Sequence, residues 1–225
     1  MKIIKYLISI PKTILFNFRI FPFKVAIKLP VLIAYNVKVA NISKNCILIN
    51  SKISRFMIKI NTNSGSEGVN ISYKKTGYFD IRKEGKIIFN GNANFSNGIS
   101  IRVDSGNLIF GNNFSCNKNC FFSCSKGITF GNNVLLGWNI NIRDADGHNI
   151  FDLNDLNIGK SSCKSVSIGN HVWIASNVNI LKGVEIADNC VVGYNSCVTK
   201  RFMDKNCIIA GYPAKIVKNN INWKK

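Results

Sequence analysis

His148 stands in the run Arg143-Asp-Ala-Asp-Gly-His-Asn-Ile-Phe-Asp, with Asp144 and Asp146 just before it. An imidazole takes up a proton nearer neutral pH than any other side chain, so it is the default general base for a hydroxyl or amine nucleophile. It works best when a carboxylate or a carbonyl holds its second nitrogen, and Asp146 or Asp144 can serve, as can a backbone carbonyl. The only other histidine, His171, lies in Ile168-Gly-Asn-His-Val-Trp. That slot of a repeat points outward at a turn, and His171 is read there as structural.

The eight cysteines do not build a metal site. Cys116, Cys120 and Cys124 are four apart, but no fourth ligand stands at zinc spacing and no C-x2-C pair exists. Cys116, Cys120 and Cys190 fall on inward slots where a small apolar side chain fits, and they are read as core filler. Pro11, Lys12 and Arg19 interrupt the apolar start and no small-residue cleavage site follows, so an export signal is not expected. A reducing compartment and free thiols follow from that.

The frame that must hold His148 is written in a ladder of period six: Ile168, Ile174, Ile180, Ile186, Val192, Val198. Four positions after each of the first five rungs comes Val172, Val178, Val184, Cys190 or Ser196. Period six fits neither an amphipathic helix nor an alternating strand. It fits a parallel β-helix of hexapeptide repeats, one aliphatic side chain inward per short face. Phe89-Asn-Gly-Asn-Ala, Phe110-Gly-Asn-Asn-Phe and Phe130-Gly-Asn-Asn-Val extend the ladder upstream, with Phe95, Ile101, Cys116, Phe122, Leu136 and Ile142 as rungs. Extra residues at Asp104–Asn107 and Ser125–Gly127 bulge at a corner. The ladder breaks once, over residues 143–165, and a long excursion from a regular scaffold is where function concentrates.

Charge is the second strong signal. Thirty Lys and Arg against eleven Asp and Glu give +19, and the first 66 residues hold eleven cations and no acid. Residues 1–40 read as a basic amphipathic segment. On a helical wheel Lys2, Lys5, Lys12 and Arg19 share one sector, while Ile3, Ile4, Leu7, Ile8, Leu15 and Phe18 lie largely elsewhere. Two readings stay open: a helix lying on an anionic membrane surface, and a helix capping the open end of the β-helix. One helix can do both. The longest uncharged run before residue 38, Leu29–Val37, is too short to span a bilayer. The β-helix domain is expected over residues 41–205 and a closing segment with a basic tail over 206–225.

The stretches Ile168–Ala175, Val191–Lys200 and Ala210–Val217 resemble the hexapeptide-repeat acyltransferases, and Asp144–His148 resembles the loop that carries that family's catalytic histidine. The nearest branch is the O-acetyltransferases of bacterial surface polysaccharides. The resemblance implies an all-β, left-handed parallel β-helix and a homotrimer with active sites between subunits. It also implies acetyl-CoA as acyl donor, no metal, and a glycan or lipid-linked glycan acceptor in the cytoplasm or at the inner membrane face. By position it makes His148 the base, with Asp146 or Asp144 holding its tautomer. Trp173 then walls the coenzyme groove, Ala175 and Gly193 keep it shallow, and Thr199, Lys200 and Lys215 lie toward the pantetheine and nucleotide end. The family usually has Gly where Ala175 stands. Acetylation of an amino sugar and a non-catalytic scaffold are the alternatives. The γ-class carbonic anhydrases share the fold but need three histidine ligands, and nucleic-acid recognition motifs are absent.

Overall fold

The computed structural model describes residues 2–63, 76–149 and 163–224. Its strands form three sheets of nine, seven and six members, parallel except for the last strand of the nine, and the chain visits the three in rotation. One inward position per strand stacks from coil to coil. On the nine-stranded face the column is Ile33, Ile60, Phe95, Cys116, Leu136, Ile174, Val192 and Ile209. On the seven-stranded face it is Phe79, Ile101, Phe122, Ile142, Ile180 and Val198. On the six-stranded face Phe89, Phe110, Phe130, Ile168 and Ile186 stack, with Phe202 bridged below them. The period-six ladder is these three columns read in chain order, and every rung is buried. Phe89, Phe110 and Phe130 lie ring on ring, 5.3 Å apart at each step.

The Phe-Gly-Asn-Asn motif has one physical reason per residue. The phenylalanine fills the core. A Cβ on Gly111 would sit 2.3 Å from the Gly131 carbonyl oxygen, so only glycine lets the coils close there. The first asparagine accepts from the coil before it: Asn112 N–H donates to Asn132 Oδ1, and Asn132 N–H to Asn170 Oδ1, at 2.8 and 2.9 Å. The second takes the left-handed turn, at φ 58° for both Asn113 and Asn133.

The first coil begins at Val31–Ile33 and Val37–Ala40, inside the segment assigned above to the basic lead. Its outer edge is closed by helix α1 (Lys2–Ile20), which runs through Pro11 without ending there. Asn17 Nδ2 donates to Val31 O and Oδ1 accepts from Val31 N–H, at 2.7 and 3.1 Å. Thr13 Oγ1 pairs with the N–H and C=O of Ile33, and Ser9 Oγ accepts from Tyr35 N–H. Residues 9, 13 and 17 share one helix face, so three polar side chains act as a substitute strand. Lys5 and Lys12 face the same way: Lys5 donates to Asn61 O and Asn97 Oδ1, Lys12 to Tyr35 O and Val37 O. Burial lowers the Lys12 ammonium from its ordinary pKa. The capping reading is therefore realised, and Lys5 and Lys12 are turned to protein rather than to a membrane. At the other end Ile208–Gly211 still belongs to the nine-stranded face, and Ala214–Lys218 folds back antiparallel on its edge.

Replacing Asn17 with leucine strands the buried N–H and C=O of Val31. The variant should lose about 3 kcal/mol of unfolding free energy, read by urea denaturation.

Candidate functional site

The excursion leaves at the corner between the seven- and six-stranded faces, straight after Asn141–Arg143. Ala145 and Cys163 bridge across its base, and Lys164 N–H donates to Asp144 O at 2.9 Å. Asp144 is completely buried. Its carboxylate accepts from the N–H groups of Ser125, Lys126 and Gly127 at 2.8, 2.7 and 2.7 Å. Those donors belong to the corner bulge of the preceding coil, which has no strand partner for them. Asp144 is thus committed to the bulge, with both of its oxygens accepting from backbone N–H groups.

Asp146 is ion-paired with Lys182, which projects from the same corner one coil further on. His148 itself is exposed, and no hydrogen bond joins it to Asp146, Asp144 or a backbone carbonyl among the described residues. Residues 150–162 of the excursion lie outside the described residues. What the structure brings together is a histidine-bearing loop start, pinned to the prism at two places.

The other predicted site residues divide between two corners. Thr199 and Lys200 are exposed on the same corner as the excursion, two coils on, with Lys200 Nζ 5.6 Å from the centre of the Phe202 ring. Trp173 lies on the nine-stranded face with 38% of its surface exposed. Ala175 and Gly193 follow at the next corner, where their N–H groups donate to Val192 O and Ile209 O. A Cβ on Gly193 would come within 2.9 Å of Ala210 Cβ, so coil stacking already demands its smallness. Lys215 is exposed opposite Ala210 on the closing hairpin. Within one chain, His148 and Trp173 therefore stand on different edges of the prism.

Two participants escaped the sequence reading. Lys182 occupies the corner slot after Leu181, equivalent to the point where the excursion departs, so aligning the repeats by corner would have flagged it. Trp223 sits in the basic tail, outside any repeat, and no pattern marks it. Its indole N–H donates to His171 O at 2.9 Å, and its ring lies 4.4 Å from His171 and 6.1 Å from Trp173. Beside it a groove of about 320 Å³ is lined by Ser115, Leu135, His171 and Trp223. His171 has φ 52° and its Nδ1 lies 3.3 Å from Asn189 Oδ1, so it stands in for an asparagine of the corner ladder.

Seven of the eight cysteines are buried, with Cys163 the partly exposed one. Burial, with Cys190 beside it, pushes the Cys207 thiol up to about 12; burial and the nearby Asp144 charge raise Cys124 further. A thiol held neutral is a poor nucleophile. Iodoacetamide on the native protein near pH 8 should therefore label Cys163 first, with the remainder reacting only after denaturation, as read by peptide mass spectrometry. Asp144→Ala strands three backbone N–H groups and should cost about 2–4 kcal/mol, whereas Asp146→Ala, losing a partly exposed ion pair, should cost about 1 kcal/mol or less in thermal or urea unfolding.

Residues 165–200 match the family described as bacterial transferase hexapeptide (six repeats). The putative lipopolysaccharide biosynthesis O-acetyl transferase WbbJ of Escherichia coli K12 is 32% identical over 149 residues, which cover 61% of this chain and 74% of WbbJ. A 24.8 kDa protein of the Klebsiella pneumoniae cps region is 32% identical over 213 residues, 92% of this chain and 87% of that one. Among solved structures, the polySia-specific acetyltransferase NeuO superposes with a TM-score of 0.54 over 87% of this chain and 89% of its own, at 23% identity, a likeness of fold. The three stacked faces are accordingly those of the left-handed parallel β-helix. Columns, corners and relatives agree: the chain belongs to the hexapeptide-repeat transferases.

Proposed function

We propose that this chain is an acetyl-CoA-dependent O-acetyltransferase, working in the cytoplasm on a sugar hydroxyl of a bacterial surface polysaccharide or its precursor. The observation that carries the reading is the single break in the ladder. There an exposed imidazole, His148, is presented on a loop whose start is fixed by Asp144 within its own stack and by Asp146 on Lys182. The O-acetyl transferase name of WbbJ supports the reaction class and the polysaccharide acceptor.

In the reaction, His148 takes the proton of the acceptor hydroxyl as its oxygen bonds to the acetyl carbonyl carbon. Backbone N–H groups at the groove stabilise the charge developing on the carbonyl oxygen. As the carbon–sulfur bond breaks, His148 returns the proton to the sulfur, and free CoA leaves. Transfer is direct, since no cysteine of the described loop start stands beside His148. Asp146 is a positioning residue: it holds the loop through Lys182. Trp173 walls the acyl donor's arm over the low surface at Ala175 and Gly193, and Thr199, Lys200 and Lys215 meet its polar end and phosphates. Because His148 and Trp173 occupy different edges of one prism, the complete site forms between neighbouring chains of a homotrimer, the loop of one facing the groove wall of the next.

The test is release of CoA thiol from acetyl-CoA over a panel of glycans, with product masses recorded. His148→Ala should lower kcat by about 10²- to 10⁴-fold while leaving thermal unfolding unchanged. Full activity in that variant would remove His148 as the base, acetylated amines as the sole products would move the acceptor to an amino sugar, and no acetyl-CoA binding at all would leave a scaffold.

A further inference from the structure

Helix α1 meets the prism with a mixed face, in which Phe16 and Ile20 are buried beside polar side chains, and shows water a second, apolar one. Ser9, Thr13 and Asn17 are buried, while Leu7 and Leu15 are 64% and 72% exposed. Ile4, Ile8 and Phe18 are exposed beside them. At 3.6 residues per turn these five fall in one sector about 80–100° wide, opposite the polar face. Phe18 meets Phe23 of the following short helix, α2 (Phe23–Ala26), edge to face at 5.9 Å, so the apolar patch continues across the turn. Phe23 is itself 68% exposed. A surface helix normally lays such a face on the core. Here the open edge of the first coil took the face that carries Ser9, Thr13 and Asn17 beside Phe16 and Ile20, and the other apolar face is left outward, a contiguous patch of the kind that marks an interaction site.

What surrounds the patch selects its partner. Arg19, Lys24 and Lys28 are exposed on and just after the same helices, and no acidic residue occurs in the first 66. A second copy docked on this patch about a two-fold axis would set those cations against their own equivalents with no acid to separate them. A partner with an anionic skin over an apolar interior meets both features. No helix among the described residues is long and apolar enough to cross a bilayer, so the helix would lie along the surface and not span it.

We infer that α1 and α2 are a peripheral docking surface for an anionic phospholipid bilayer. Leu7, Leu15, Phe18 and Phe23 sink into the headgroup–acyl boundary, and Arg19, Lys24 and Lys28 meet the lipid phosphates. Lys5 and Lys12, which share the wheel's sector with Arg19, take no part because they are half-buried and bonded to the first coils, whereas Arg19 stays exposed with one long contact to Ile42 O at 3.5 Å. The inference stands apart from acetyl transfer, since none of these side chains belongs to the proposed site.

The test mixes the full-length protein with sedimentable vesicles of phosphatidylcholine, with and without phosphatidylglycerol. Binding should be about tenfold or more stronger to the phosphatidylglycerol vesicles and should weaken as salt is added. Leu7→Asp/Leu15→Asp, at positions that face water, should keep the parent melting temperature and its CoA release with a soluble acceptor, and should bind at least about tenfold more weakly. Arg19→Gln/Lys24→Gln/Lys28→Gln should lose most of the preference for anionic lipid. Absence of vesicle binding by the parent, or undiminished binding by the double aspartate variant, overturns the inference. So does a parent that ignores vesicles while the double variant changes oligomeric mass, which gives the patch to a protein partner.

Discussion

In this molecule each coil is hydrogen-bonded to the coil above and the coil below, and almost no strand is longer than five residues. Nothing inside a single coil would hold it flat. The backbone ladder between coils is therefore the interaction on which everything else rests, and a break in it exposes buried N–H and C=O groups at once. Three places threaten such a break, and each is closed by polar chemistry from elsewhere in the chain. At the first coil, Asn17, Thr13 and Ser9 replace a missing strand. At the last, the antiparallel hairpin covers Ile208–Gly211. At the excursion, the Asp144 carboxylate gathers three N–H groups that the corner bulge cannot pair.

That constraint explains why residue choice is so uneven. Core positions accept phenylalanine, isoleucine, valine or cysteine, since the columns ask mainly for apolar volume. Corner positions are narrower. Gly111 and Gly131 have the next coil's backbone where a side chain would go, and the asparagines beside them supply both a cap and a left-handed turn. His171 fills one of those turn slots, which is why a histidine two residues from Trp173 behaves as part of the scaffold.

Much of this was legible in the sequence, for a physical reason. A period of six leaves a sharp trace when repeats are uninterrupted, so Ile168 to Val198 could be assigned rung by rung, and the phenylalanine motifs carried it back to Phe89. Before that, coils of unequal length blur the period, and Val31–Ile33 reads as part of the basic lead. For the helix the sequence leaves two roles open, and the capping one is realised. A wheel shows that like residues cluster, but it says nothing about which side meets the protein, and an unpaired strand edge reverses the usual answer. The backbone role of Asp144 leaves no trace in the sequence, because the groups that meet its charge come from the coil before. Trp223 had no periodic context to betray it.

The regular stacking also makes the prism a measuring rod. Parallel strands repeat about every 4.8 Å, and the excursion leaves the fifth coil, so His148 stands about four repeats, or about 19 Å, beyond the edge covered by α1. Adding or deleting one coil between them would move His148 by one repeat and leave every corner contact of the remaining coils in register. Length along such a rod evolves in whole steps, independently of the chemistry it carries. The height at which the excursion leaves the prism is thus encoded as a number of coils.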